Sequence, residues 1–440
     1  MQTYFKHISD TLASLLHSHE QSTCWLSAES SDFVRFNRSA IRQPGHVLQR
    51  VLRIQLIDEQ RHASSSITLS GELSGDSDLL QQTVTALREQ LPDLPDDPYL
   101  LIATEVHSSE QITPSAMPPA ALMVEQILAL ASGYDMVGIL TVGALYRGFA
   151  NSSGQHNWYQ TTSVNFDWSL FHAGDKAVKS NYAGFTWDAA QFRAQFNDAL
   201  QKLALLATPP VTVPAGNYRV YLTPTALNSL ISMLNWNGLS EKSLRTHQSS
   251  LRRLQSGELS LHPAINIRED STIGLAPGFQ SKGFIKPDQV DLIRAGKLVG
   301  SMVSPRSARE YGLTNNGADD NEYANSLVMA AGSLAMQQVL TELGTGIYIS
   351  NLWYLNFSDR ANCGITGMTR FATFWVEDGV IKAPLNVMRF DDSLFRMLGE
   401  NLLALTQETE VLMETDSYLE RHTGGTVLPG ALLKELRFVL

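Results

Sequence analysis

The stretch LHSHEQSTCW at positions 16–25 sets two imidazoles, a carboxylate and a thiol, His17, His19, Glu20 and Cys24, within eight residues. Side chains of these types hold zinc and acidify a bound water. Whether these four can do so depends on the element that carries them. Phe5, Ile8, Leu12, Leu15 and Leu16 recur at three- and four-residue spacing, which predicts an amphipathic helix over 3–18. Residues two apart on a helix are rotated by about 200°, so His17 and His19 would face opposite sides. They share a metal only where a fraying helix end releases them toward Cys24. The expectation is an accidental cluster at a helix-to-strand junction.

The chain has 440 residues, which is long for one core and predicts two domains. Its 33 basic against 44 acidic side chains give a net charge of −11, which disfavours a surface built to neutralise phosphates, so nucleic acid is not an expected partner. Two cysteines, Cys24 and Cys363, and an opening MQTYFKHISD without a basic run or an apolar segment predict a reduced, cytoplasmic setting. Even MPPAALMVEQILALASGYDMVG is interrupted by Glu125, so no membrane association is expected.

From Cys24 the apolar period becomes two, through STCWLSAES, DFVRFNRSAIRQ, HVLQRVLRIQLID and SSSITLSG, as in an antiparallel meander. Helical spacing returns at 77–90, in PPAALMVEQILALA and in WDAAQFRAQFNDALQKLALLAT, with VGILTVGALYRGFANSSG alternating between them. The prolines of ATPPVTVPAG mark a stiff linker, giving domains 1–208 and 209–440. Beyond it YRVYLTP reads as a strand and TALNSLISMLNWNG as a helix ending at Gly238. SLVMAAGSLAMQQVLTEL reads as a helix stopped by Gly344, and a further helix is expected at 391–406 among strands and hairpins. The predicted class is α+β, two domains with mixed, mostly antiparallel sheets flanked by helices.

Three segments of the second half, SPRSAREYGLTNNG at 304–317, ELGTGIYISNL at 342–352 and TGMTRFATFWVEDGVIKAP at 366–384, resemble the TldD/PmbA family of two-domain proteins associated with zinc metallopeptidases. FVRFNRSAIRQ and YRGFANSSG fit its N-terminal half more loosely. The resemblance implies, for a catalytic subunit, an HExxxH motif on the helix of the second domain and a cysteine near the C-terminus as zinc ligands, with the motif glutamate as base.

This sequence departs from that pattern. Anchored on Gly238-Leu239, the helix puts Ser232 and Asn237 at the histidine positions and Met233 at the glutamate; a shift of one residue gives Met233 and Gly238. Gly424 of ERHTGGTVLPG falls at the cysteine position, with His422 nearby. No catalytic residue, metal or cofactor is therefore assigned. The resemblance is to the non-catalytic TldE/PmbA branch, which implies a zinc-bearing TldD-type partner, a second copy of the chain, or both, and an extended polypeptide substrate.

Strand addition to an exposed sheet edge is the economical way to bind such a substrate. The turn Gly344-Thr345-Gly346 and the strand containing Arg370, Trp375 and Glu377 are the candidates for framing that groove. The alternatives are structural: strand aromatics usually fill cores, and Arg370 could pair with Glu377 or Asp378. Three functions compete: a metal-free subunit of a heteromeric metallopeptidase, a peptidase using other ligands such as His17, His19 or His422, and a homodimeric peptide-binding or regulatory protein like the gyrase modulators of the family.

Overall fold

The computed structural model describes residues 1–174 and 176–439. Helix α1, Gln2–Ser14, buries Phe5, Ile8 and Leu12 and leads into a hairpin of two long strands, β1 (Glu20–Asn37) and β2 (Ala40–Asp58). The run DFVRFNRSAIRQ, which alternates throughout, turns in its middle: Arg38 and Ser39 both take left-handed φ, 51° and 54°, with no glycine to mark the reversal. Strand β3 (Arg61–Thr68), helix α2 (Leu73–Gln90), β4 (Ser109–Ile112), helix α3 (Ala120–Ala131), β5 (Asp135–Asn151), β6 (His156–Phe171), β7 (Ala177–Gly184) and helix α4 (Ala189–Leu206) complete the first half. The sheet runs β3-β2-β1-β5-β6-β4, with β7 also paired to β6. It is antiparallel except for β4 on β6.

After the proline-bearing connection come β8 (Gly216–Leu222) and helix α5 (Pro224–Asn235). The remaining strands are β9 (Ile267–Asp270), β10 (Gln289–Arg294), β11 (Lys297–Leu298), β12 (Ser326–Met329), β13 (Gly346–Asp359), β14 (Gly364–Glu377), β15 (Val380–Pro384), β16 (Arg389–Ser393), β17 (Leu402–Met413) and β18 (Gly425–Phe438). Within this second sheet β8, β13, β14, β16 and β18 close on themselves, because β8 pairs parallel to β13 on one side and antiparallel to β18 on the other. The class is α+β with mixed, mostly antiparallel sheets, as the sequence predicts.

Two expected helices are replaced largely by strands. Residues 326–343 form β12, an irregular passage and a short helix at Val339–Leu343. Leu327 is sealed in the core beside β18, and Gly332 passes so close to β17 that a Cβ there would lie 2.2 Å from the Leu405 carbonyl oxygen. Residues 391–406 become the end of β16, one turn at Leu394–Met397 and the start of β17. A short apolar run satisfies either period, and in both cases pairing with β18, directly or through β14 and β16, decides.

The largest apolar cluster lies wholly in the second half, under α5, with Leu227, Leu230, Ile231 and Leu234 fully buried. A second cluster joins α3 and α4 to Tyr221, Tyr348, Phe374 and Leu432, so apolar contact runs across the connection. Among the described residues no helix is long and apolar enough to cross a membrane.

Candidate functional site

Helix α5 starts on a Thr223 cap, whose hydroxyl accepts from Ala226 N at 3.2 Å, with Pro224 in the first turn. Its apolar stripe goes into the core. On the other side Thr225, Asn228, Ser229 and Ser232 recur at helical spacing and line a groove of about 610 Å³. The facing wall is the loop between β17 and β18, with His422 and Gly424, and the end is closed by Lys179–Asn181 of β7. Lys179 is paired with Asp167 at 2.9 Å.

The position of the cysteine expected in catalytic relatives is thus in the groove, as Gly424, opposite Ser232. Gly424 takes φ 118°, where a side chain is strained, and a Cβ would meet the Asn325 carbonyl oxygen at 3.0 Å. Met233 points the other way and is a core residue, 7% exposed. Asn237 lies past the end of α5 with φ 63°, in a separate depression with His247 and Arg360. Gly238 is buried beside it, and a Cβ would stand 2.1 Å from the Leu234 carbonyl oxygen. Of the five motif positions only Ser232 and Gly424 meet in the groove.

Asn228 and Asn235 are groove residues that motif alignment passes over. Asn228 accepts from the Thr426 hydroxyl at 2.9 Å, bridging α5 to β18. Asn235 is spent on both main-chain groups of Ala324, at 2.8 and 3.2 Å. The helical recurrence of small polar residues opposite Leu227, Leu230, Ile231 and Leu234 was the available signal.

The loop carrying His422 and Gly424 is held from the other sheet. Arg421 is buried; its guanidinium donates to Ser163 Oγ at 2.8 Å, Ser31 Oγ at 3.2 Å and the Gly143 carbonyl at 3.3 Å. Arg147 donates to the Arg421 carbonyl at 3.2 Å and lies 3.4 Å from Glu420, which also bonds Ser27. Burial pulls the Arg421 guanidinium down to about 10, Glu29 opposing and Arg147 adding to the shift. No sequence motif marks this pin.

Zinc needs imidazole, thiolate or carboxylate donors converging on one point. The groove offers one exposed imidazole, His422, and three carboxylates that are otherwise engaged, Asp167 with Lys179 and Glu414 and Asp416 with main-chain N–H groups; among the described residues no three donors converge there, so its residues do not fit the metal of catalytic relatives. Cys24 and Cys363 are buried elsewhere, and burial pushes each thiol up to about 12.

The other candidate frame lies apart from this groove. Gly344 takes φ 62° after Leu343, Gly346 backs onto the Arg219 carbonyl, and Thr345 Oγ1 accepts from Asp378 N at 3.4 Å. Trp375 packs edge-on to Tyr218 and donates to Glu377 Oε1 at 2.8 Å. Arg370 stacks on Trp353 with 4.9 Å to the ring centre, and among the described residues it makes no ion pair with Glu377 or Asp378. Strand β14 is flanked by β13 on one side and by β15 and β16 on the other, so it presents no free edge. Strand β7, at the groove, pairs only with β6 among the described strands.

The profile of the PmbA/TldA metallopeptidase C-terminal domain matches residues 215–439, just over half of the chain. The chain belongs to the PmbA/TldD family. No curated protein matches it. Solved structures of PmbA/TldD-like fold align over nearly the whole length: a candidate DNA gyrase modulator from Thermotoga maritima (TM-score 0.77, 13% identity, 99% of this chain and 100% of that one) and TldE from Thermococcus kodakarensis (0.76, 14%, 99% and 100%). A candidate DNA gyrase modulator from Bacteroides thetaiotaomicron is also similar (0.72, 13%, 99% and 98%). At these identities the likeness is one of fold.

Proposed function

We propose that this PmbA/TldD-family chain is a TldE-like, non-catalytic subunit that holds an extended polypeptide for cleavage by a zinc-bearing TldD-type partner. One observation carries the reading: α5 faces the loop between β17 and β18 across an open groove in which Ser232 and Gly424 stand at the motif positions and no three metal donors converge among the described residues. Within it the outer edge of β7 offers main-chain groups to an extended peptide, and Ser229 and Ser232 flank the path. Main-chain pairing of this kind is nearly indifferent to sequence, which suits a subunit serving varied substrates. The six residues at the Gly344 turn and on β14, Gly344, Thr345, Gly346, Arg370, Trp375 and Glu377, then belong to partner contact and core support rather than to the groove. The division at 208/209, a cytoplasmic setting and proteolysis or peptide maturation as the process are parts of the same reading.

Reconstitution tests it. The purified chain alone should leave unfolded polypeptides intact, and cleavage should appear on mixing with an HExxxH-bearing family member from the same source. A solitary sample that cleaves and is silenced by chelators would refute the assignment. A stable homodimer that neither cleaves nor binds such a member would point instead to the peptide-binding, gyrase-modulator-like role.

A further inference from the structure

Helix α1 stops at Ser14, so His17 and His19 are not helical. Residues 17–20 form a reverse turn in which Glu20 N donates to the His17 carbonyl at 3.0 Å. The turn brings ligand atoms of His17, His19 and Glu20 within 4.8 Å of one another, while the Cys24 thiol stays buried on β1. Among the described residues this is the one group of three or more His, Cys, Asp or Glu side chains at metal-ligand spacing. We propose that the His17–Glu20 turn is a divalent transition-metal site, a surface clasp for Zn²⁺ or Ni²⁺ that is independent of the groove.

The bonding of Glu20 supports this. Arg88 Nε donates to Oε1 at 2.6 Å and Arg88 Nη2 to Oε2 at 2.8 Å; His17 N also donates to Oε2, at 2.8 Å. Two lone pairs on each oxygen make four acceptor positions, of which three are used. The fourth is on Oε1, an atom 3.6 Å from His17 Nδ1. That is too long for a hydrogen bond and close to the separation of about 3.3 Å between two ligands of a tetrahedral zinc. Arg88 also donates to the Leu15 carbonyl at 3.0 Å, so one side chain from α2 fixes both the carboxylate and the entry to the turn, in the manner of the outer partners that orient metal ligands. Asp58, opposite Glu20 in the β1–β2 register, stands 3.9 Å from His19 Nε2 and lies outside the group of three, as a neighbour that orients the His19 ring. Two imidazoles and one carboxylate, with water completing the shell, suit zinc or nickel rather than calcium or magnesium.

The rise of β1 places this turn about 35 Å from Ser31, where Arg421 docks, so it is no part of the peptide groove. Bound metal would tie the segment after α1 to the start of β1. It would stabilise the folded chain by mass action, since the turn exists only there.

Equilibrium dialysis of the full chain against Zn²⁺ or Ni²⁺, read by elemental analysis, tests the site, with melting temperature as a second readout. The expected result is one metal per chain and a raised melting temperature. H17A and H19A should each weaken binding by about tenfold or more and abolish the rise, and H422A should change neither. Both turn histidines are exposed, so these variants keep the fold. Sub-stoichiometric retention, or binding that survives the double variant H17A/H19A, would overturn the proposal.

Discussion

The α5 groove and the turn after α1 are opposites. The groove sets a helix against a loop across a cleft beside β7, and its imidazole and carboxylates do not converge. The turn has two imidazoles and an oriented carboxylate and lacks the cleft. Ligand chemistry and an open cleft are therefore separable, and hydrolysis needs both at one place. In this chain the cleft lies at one place and the clustered imidazoles at another, the turn being about 35 Å along β1 from Ser31, where the loop bearing the cleft wall docks.

The largest effect is expected at the Arg421 pin. Arg421→Ala withdraws a buried guanidinium and leaves Ser31 Oγ, Ser163 Oγ and the Gly143 carbonyl without their donor, at an expected cost of about 1–3 kcal/mol for each acceptor left unpaired. Urea unfolding reads the cost, and faster proteolysis between 414 and 424 reads release of the groove wall. Unchanged proteolysis would mean that the loop is held by its other contacts.

Next comes Arg88. Its bonds to Glu20, chief among the causes, with smaller help from His17 N, hold that carboxyl at about 2 against an ordinary 4.5, although burial opposes the shift. A depressed folded-state value stabilises the chain fully above pH 4.5, and the stabilisation, about 3 kcal/mol, is lost as pH falls from there toward 2. Arg88→Ala should cost about that much at neutral pH and flatten the acid limb of the stability curve. A limb unchanged in the variant would assign it to other carboxylates.

Smaller effects sharpen the account of the groove. Gly424→Cys, which restores the donor type of catalytic relatives, meets a left-handed backbone and the Asn325 carbonyl, so it should destabilise by about 1–2 kcal/mol and recruit no zinc without a second donor. Ser232→Trp fills the cleft from an exposed helix position. Stability should move by no more than about 0.5 kcal/mol, while peptide binding and partner-dependent cleavage are lost. Retained cleavage would remove the groove from the function.

Helices with full apolar periods were legible: 3–18, 77–90 and 187–208 contain α1, most of α2 and α4, because burying one stripe needs only local spacing, although α1 stops at Ser14, short of His17. The hairpin at Arg38 and the strands at Ser326–Met329 and Leu402–Met413 were not, since no glycine or proline marks the first and short apolar runs satisfy either period in the others. At the site, Ser232 and Gly424 were found by alignment to a motif, whereas Met233 proved a core residue because α5 turns it 100° away from Ser232.

The sequence by itself determined the donor inventory: it lacks an HExxxH motif on α5 and a cysteine at position 424, and it holds two histidines and a glutamate after α1. Only the tertiary structure decided which of these residues meet. Arg88 on α2 orders the turn that unites His17 with Glu20, and Arg421, anchored among Ser31, Gly143 and Ser163, carries Gly424 to the groove opposite Ser232. Both are contacts between residues far apart in the chain. Such contacts arise from burial and hydrogen bonding in three dimensions, and local spacing cannot encode them.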